Sequence, residues 1–365
     1  MWIGLFPELF EVGGIQQVSR HTGAVVSQEA GKRDVECRLL GLNDAAGQGS
    51  FRVGADAYRF QGFGRNKFDL FSYLLRLVPR LDTLYLGHVN LAPLGLLLRL
   101  VRPRIKYWVV CHGVEVWQSL PILRRLALRY ATGVLSVSAF TAERVVKVQG
   151  LDPKQVFLLP PSLDPSFLET ECGGNSLPIP PTARVILTVG RLIASEPGKG
   201  VDTVIRVLPD VLKVVPELFY VVVGGGDLQP RLQELARESS ARDHILFVGQ
   251  LRFEQLKHLF SRSDLFVMPS RQEGFGLVFL EAMALGKPVI AGSFGGAREV
   301  VQDGVTGFLV NPDDSELLTR CLVQLLSDDD LRRNMGDAGR QRVEENYTFQ
   351  RFRDRFARIL EAVAG

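Results

Sequence analysis

Two carboxylates and two cations are the side chains in this sequence best suited to chemistry. Glu273 and Glu281 stand eight positions apart in EGFGLVFLEAMALGKPVIAG, residues 273–292. Gly274 and Gly276 let the backbone turn sharply and leave amides unshielded. A helix starting there adds free N–H groups and the positive end of a dipole, which together can hold sugar hydroxyls or phosphate oxygens. Glu273, at the lip of that turn, either accepts hydrogen bonds from vicinal hydroxyls or is simply solvated. Glu281 lies between Leu280 and Ala282, where a buried carboxylate is costly unless hydrogen-bonded. A ribose diol would serve as its partner; so would neighbouring backbone.

The cations come from VILTVGRLIASEPGKGVDTVIRVL, residues 185–208. A strand ends at Gly190, Arg191 follows in the loop, and Lys199 precedes the next helix. Arg brings a planar fork and Lys a compact charge, a combination suited to a diphosphate, although two solvated loop cations would look the same. Gly13 and Gly14, after the first strand, permit close approach of amides to a phosphate or merely make a turn. His112 follows the strand KYWVVC. It could donate to a sugar hydroxyl, offer its carbonyl to developing positive charge, or be structural. Ser138 and Thr141, with Glu143 nearby, read as a helix cap. The Gly-rich VVVGGGDLQPRLQ (221–233) fails the G-x-G-x-x-G fingerprint, because Gln229 stands at its last position, which argues against a nicotinamide enzyme.

Alternating short strands and amphipathic helices position these residues. Strands are expected at Trp2–Phe6, Val35–Leu40, Thr83–Gly87, Ile105–Cys111, Gly133–Val137 and Val156–Leu159. After a Pro-, Gly- and Ser-rich break at 164–183 they restart at Val185–Gly190, Phe219–Val223, Ile245–Val248, Leu265–Met268, Pro288–Ala291 and Gly307–Val310. Helical spacing fills the gaps, and a last amphipathic segment covers 349–364. The pattern predicts an α/β chain of two doubly wound parallel-sheet domains, 1–165 and 183–345. The strand ends of both would border one cleft.

The 365 residues are 46% hydrophobic, as in ordinary globular proteins. No apolar run reaches the ~20 residues that span a bilayer, and the start shows no basic, cleavable leader. Cys37, Cys111, Cys172 and Cys321 have no metal-type spacing and read as reduced thiols. Residues 1–165 carry 20 Lys and Arg against 13 Asp and Glu, whereas residues 166–365 carry 23 against 27, so the halves are suited to different partners.

Taken together, VGRL…GKGVD, VVVGGGDL, LFVMPS, EGFGLVFLEAMALGKPVIAG and GGAREVVQDGVTGFLVNPDD, in that order, resemble the retaining glycosyltransferases of family 4. The N-terminal half resembles them more loosely, through Gly13-Gly14, CHGVEVW, SVSAFT and LLPPSLDPSF. The resemblance implies the GT-B fold: Rossmann-like domains facing a central cleft, the first binding acceptor and the second the nucleotide sugar. Helix 349–364 would pack back on the first domain. It implies that Glu273 binds donor-sugar hydroxyls and Glu281 the nucleotide ribose, and that amides at Phe275, Gly276 and Leu277 hold sugar and phosphate. Arg191, after Gly190, and Lys199 would stabilise the leaving diphosphate; Gly14 and His112 would contact diphosphate and sugar. The base would lie near Gly249–Arg252, with Leu251 and Arg252. The stretch IASEPGK between Arg191 and Lys199 is longer than the family usually has, which bears on where Lys199 ends up.

The expected reaction is retaining transfer of a sugar, with UDP-glucose as first donor, to an acceptor hydroxyl in polysaccharide or glycolipid assembly. No Asp-x-Asp motif is apparent, so no metal and no other cofactor is expected. The partners expected are the nucleotide-sugar donor and a saccharide or lipid-linked saccharide acceptor, and no nucleic acid. The expected location is cytoplasmic, with peripheral contact at the inner membrane face. That contact would come from the Leu- and Arg-rich segments 91–106 and 120–130, unless their Leu faces pack inward. The alternatives are a non-catalytic nucleotide-sugar-binding subunit or regulator, a GT-B epimerase, or a phosphorylase.

Overall fold

A computed structural model describes residues 1–10, 13–169, 178–194 and 198–364. Cys172, residues 170–177 of the expected linker and residues 195–197 before Lys199 lie outside the described residues. The chain forms two compact units, Met1–Ser166 with Thr348 onward, and Phe167–Tyr347.

The first unit runs β1 (Trp2–Phe6), α1 (Gly14–Lys32), β2 (Cys37–Gly41), β3 (Gly47–Val53), β4 (Asp56–Gly62), α2 (Lys67–Leu77), β5 (Thr83–Leu86), α3 (Ala92–Val101), β6 (Lys106–Cys111), α4 (Val114–Trp117), α5 (Ile122–Arg129), β7 (Gly133–Ser136), α6 (Ala139–Gln149), β8 (Val156–Leu158) and the start of α7 (Pro165–Glu169). Its sheet has the order β3-β4-β2-β1-β5-β6-β7-β8. Every pairing is parallel except that of β3 with β4. The central strands are apolar on both faces because helices cover both. The hairpin β3–β4 was not expected: its Gly-rich sequence hides a two-residue alternation that buries Phe51, Val53, Tyr58 and Phe60 on one face.

The C-terminal helix, Phe349–Ala364, belongs to this unit. Phe352 and Phe356 are fully buried. The rings of Phe349 and Phe352 lie 5.0 and 6.0 Å from that of His21, and Phe356 meets Tyr85 edge-on. Burying each such ring stabilises by roughly 1.5–3 kcal/mol. His21, itself buried on α1, is fixed by Ser162 Oγ at 2.9 Å on Nδ1 and by Asp164 at 3.4 Å on Nε2. This network ties the start of α1 to the end of the first unit's sheet. Nothing in the sequence spacing announced it.

The second unit runs from the end of α7 through β9 (Arg184–Val189), α8 (Val201–Leu212), β10 (Leu218–Val223), α9 (Gln229–Glu238), β11 (Ile245–Gly249), α10 (Phe253–Arg262), β12 (Leu265–Met268), α11 (Leu277–Ala284), β13 (Val289–Gly292), α12 (Ala297–Val300), β14 (Gly307–Val310), α13 (Ser315–Ser327) and α14 (Asp329–Asn346). All strands are parallel, in the order β11-β10-β9-β12-β13-β14. From β9 the chain builds outward in one direction, then returns to lay β12 on its other side. Ligands of open α/β sheets bind at such a reversal, at the carboxyl ends of the strands. In the first unit the reversal falls between β1 and β5.

Candidate functional site

The carboxyl ends of β9 and β12, neighbours at the reversal, carry the two constellations. From β9 come Gly190 and Arg191; from β12 comes the turn Ser270–Gly276 leading into α11. Lys199 Nζ donates to Glu273 Oε2 at 2.9 Å, both side chains mostly shielded from solvent. The long 191–199 loop therefore keeps Lys199 at the reversal, as its partner shows. Backbone ties hold the pair in place. The Arg271 N–H donates to Gly198 O at 2.7 Å, and Gly200 starts α8 against Pro269. Glu273 is not the solvated carboxylate that one sequence reading allowed.

Gly276 caps α11 with φ +96°, a left-handed conformation that favours glycine. It sits over the Phe279 ring. Phe275 is buried against Tyr347. The Phe279 N–H donates to Gly276 O at 3.0 Å, so the ready anion site lies at the two amides before it, Leu277 and Val278. Glu281 is half-buried on α11 while Leu280 and Ala282 beside it are buried. Small residues set the helix in place, since Gly336 of α14 packs directly on the Gly286 backbone.

Arg191 is exposed. Its loop is held from the far side by two features that the sequence left unexplained. The Ala194 N–H donates to Asp227 at 2.7 Å, and the Leu192 N–H to Gly225 O at 3.0 Å. A Cβ at Gly224 would lie 1.9 Å from Gly190 O. The triple glycine of VVVGGGDL thus exists to let the β9 and β10 loops touch. The stretch expected to lie near the base opens at Gly249, whose carbonyl accepts from Gly224 N–H. Leu251 is half-buried; Arg252 is exposed, and its N–H donates to Gln255 at the start of α10.

In the first unit, Gly14 is the exposed first residue of α1. The loop before it is anchored by Asp44, whose carboxylate accepts from Leu9 and Phe10 N–H, both at 2.9 Å. His112 ends β6. Its backbone N–H is held by Glu115, and its Nε2 donates to Gly87 O at 2.7 Å. Donation to a sugar hydroxyl, one sequence expectation for His112, would require Nε2 to give up its bond to Gly87 O. The capping reading of Ser138 holds, since it accepts from Thr141 N–H at 3.2 Å.

His88, two residues beyond β5, is a residue sequence reasoning missed. Its ring stacks on His112 with centroids 5.7 Å apart. Burial, reinforced by the neighbouring His112 and Arg124 against the opposing pull of Glu115, pushes its imidazole down to about 4. An unfolded imidazole takes its proton near 6.5. Between those values the unfolded state binds more protons, so folding stability falls as pH drops from about 6.5 towards 4 and is unaffected by His88 above that window. An NMR titration of the His88 ring is expected to show a midpoint well below 6.5, and Arg124→Ala is expected to raise it. A midpoint at 6.5 in the native protein would contradict the geometry.

The described residues include no group of three His, Cys, Asp or Glu side chains placed to hold a metal ion. None of their helices is long and apolar enough to cross a membrane. Two doubly wound units, the second with a cation and a carboxylate paired at its strand reversal, put a ligand site at the carboxyl ends of the strands. The family description "Glycosyltransferase Family 4" matches residues 19–167, and "Glycosyl transferases group 1" matches residues 174–342. The chain is 33% identical over 311 residues to the GDP-mannose-dependent alpha-(1-6)-phosphatidylinositol monomannoside mannosyltransferase of Mycolicibacterium smegmatis, covering 78% of this chain and 77% of that one. It belongs to the family 4 glycosyltransferases and has the GT-B fold. Among solved structures, sucrose-phosphate synthase from Thermosynechococcus elongatus matches with TM-score 0.79 at 21% identity, over 99% of this chain and 98% of that one. Anabaena HepE in complex with UDP matches with TM-score 0.74 at 16% identity, over 99% and 100%. These two show a common fold.

Proposed function

We propose that the protein transfers a hexosyl group, with retention and without a metal, from a nucleoside diphosphate sugar to an acceptor hydroxyl. The observation that carries this is the Lys199–Glu273 pair at the β9–β12 reversal, next to the open amides of α11. The bond broken joins the anomeric carbon to a β-phosphate oxygen. The bond formed joins that carbon to the acceptor oxygen, whose proton passes to a phosphate oxygen of the leaving nucleotide. Negative charge grows on that diphosphate, and Lys199, Arg191 and the helix-end amides meet it by preorganised electrostatics. Glu273 takes hydroxyls of the donor sugar and Glu281 those of the ribose. Gly14 and His112 act on the diphosphate and sugar, and the backbone around Leu251 and Arg252 on the base.

For the donor we put GDP-mannose first, because the relative at 33% identity is named for it. The expectation of UDP-glucose rested only on its frequency in the family. The acceptor we propose is a lipid-linked saccharide used in envelope glycolipid or polysaccharide assembly, reached from the cytoplasmic side of the membrane. Incubation with a panel of nucleotide sugars and extracted lipid acceptor tests the reading. Acceptor-dependent release of GDP, with label passing to the lipid fraction, is the expected result. Release of no nucleoside diphosphate from any donor would overturn the enzymatic reading in favour of a binding subunit.

A further inference from the structure

The helices α3 and α5 do not bury all of their leucines. Leu98 and Leu128 face the sheet, but Leu97, Leu100 and Val101 of α3 are 44, 72 and 58% exposed, and Ile122 and Leu123 of α5 are 60 and 55% exposed. A groove of about 310 Å³ between the two helices is lined by Pro93, Leu94, Leu96, Leu97, Leu100 and Leu123, without a polar side chain. Scattered exposed leucines need no explanation, but a contiguous apolar groove on a surface does.

Charge says what covers it. Between Asp82 and Glu143 the chain carries seven Lys and Arg and a single carboxylate, Glu115. Arg104, Lys106 and Arg129 are exposed, and Arg124 and Arg125 follow Leu123 directly. Glu115 is turned inward, its carboxylate accepting from His112 N–H. Arg102 is answered by the exposed Asp82 at 3.6 Å, but the other cations of this stretch outnumber its carboxylates, and an apolar strip flanked by such an excess fits a surface that is greasy inside and anionic outside. A second copy of the chain would have to bring the same cations to the same place, like charge against like.

We infer that the α3–α5 face docks on an anionic phospholipid bilayer, with Leu97, Leu100, Ile122 and Leu123 entering the acyl boundary and the arginines on the headgroups. The inference extends the lipid acceptor of the proposed function but does not depend on it. The helix α5 packs on the turn Val89–Leu91 that follows His88, so the docked face borders the loops that carry His88 and His112. A lipid-borne acceptor would then arrive beside them without leaving the membrane.

Vesicle co-sedimentation tests this with no donor or acceptor present. The wild-type chain is expected to sediment with vesicles containing about one-third phosphatidylglycerol and to stay in solution with phosphatidylcholine alone, and high salt should weaken the binding. Leu100→Glu with Leu123→Glu is expected to weaken it ~10-fold or more. Both positions are exposed, so the melting temperature should hold; Leu100→Ser with Leu123→Ser is a milder pair should it fall. Failure of the wild type to bind anionic vesicles would overturn the inference. So would unchanged binding in the folded variants, or a concentration-dependent dimer that the variants abolish. GDP-induced thermal stabilisation should be the same in wild type and variants, which separates a failure here from a failure of the donor reading.

Discussion

Exchanging Lys199 for methionine is expected to lower kcat by about 10²- to 10³-fold, the usual cost of removing one preorganised group from developing negative charge. Methionine keeps most of the stem volume, so the loop around Gly198 and Gly200 should survive. In the unliganded structure the ammonium is held by Glu273 at 2.9 Å. Neither group is free to drift, and both point at the same spot. Glu273→Gln keeps the shape and removes the charge; it should weaken donor binding and cost about 10-fold or more in kcat/KM. Because the two groups act on each other, the double variant should lose less than the product of the single losses. A purely structural strap would behave differently. It would lower the melting temperature and leave the kcat of the remaining folded enzyme near wild type. Steady-state kinetics at saturating donor, beside a melting curve, separate the two. A kcat within about twofold of wild type for Lys199→Met would remove Lys199 from the chemistry.

Much of the scaffold could be read in advance because its signals are local. Trp2–Phe6, Leu265–Met268 and Gly307–Val310 are short apolar runs bounded by turn residues, and each is a strand over those same residues. Helices 139–149 and 315–327 begin at the capping residues Ser138 and Asp314, a signal that is local in sequence. What escaped was non-local. The β3–β4 hairpin looks like loop because half of its residues are Gly, Ser, Asp or Arg. Its register appears only when Phe51 meets Tyr58 across the strands. His88 looked like an ordinary loop residue until the parallel pairing of β5 with β6 laid it on His112. Asp44 and Asp227 each anchor a loop more than thirty positions away, a distance over which periodicity carries no information. The Lys199–Glu273 contact falls in between. The residue types and the strand ends that carry them were legible, but their meeting depends on β9 and β12 being neighbours, which is a property of topology.

That topology makes a glycine outside the expected site matter as much as the charged groups. Gly296, at the start of α12, donates its N–H to Glu273 O at 2.7 Å. A Cβ there would lie 2.1 Å from Gly274 O and 2.9 Å from Phe275 Cα. Both are backbone atoms, so no side chain can swing aside. The turn cannot easily retreat either, because Ser270 Oγ bonds to Gln272 O within it and Gly276 rests on the Phe279 ring. Gly296→Ala is therefore expected to push the 273–276 turn outward, carrying Glu273 away from Lys199 and tilting the first amides of α11. The cost in stability should be about 1–3 kcal/mol, as for overpacking elsewhere. Donor affinity should drop by about 10-fold or more, since a displacement near 1 Å at a positioning element is enough for a large loss. Gly31→Ala is the matched control. It sits in α1 with nothing within 4 Å of the added methyl, so it should leave donor binding alone and stabilise by about 0.4–1 kcal/mol. Calorimetric titration of GDP into both variants, with urea unfolding alongside, reads the two effects separately. Wild-type affinity in Gly296→Ala would mean that the turn is not the rigid donor cradle described, and that the charge pair alone positions the diphosphate.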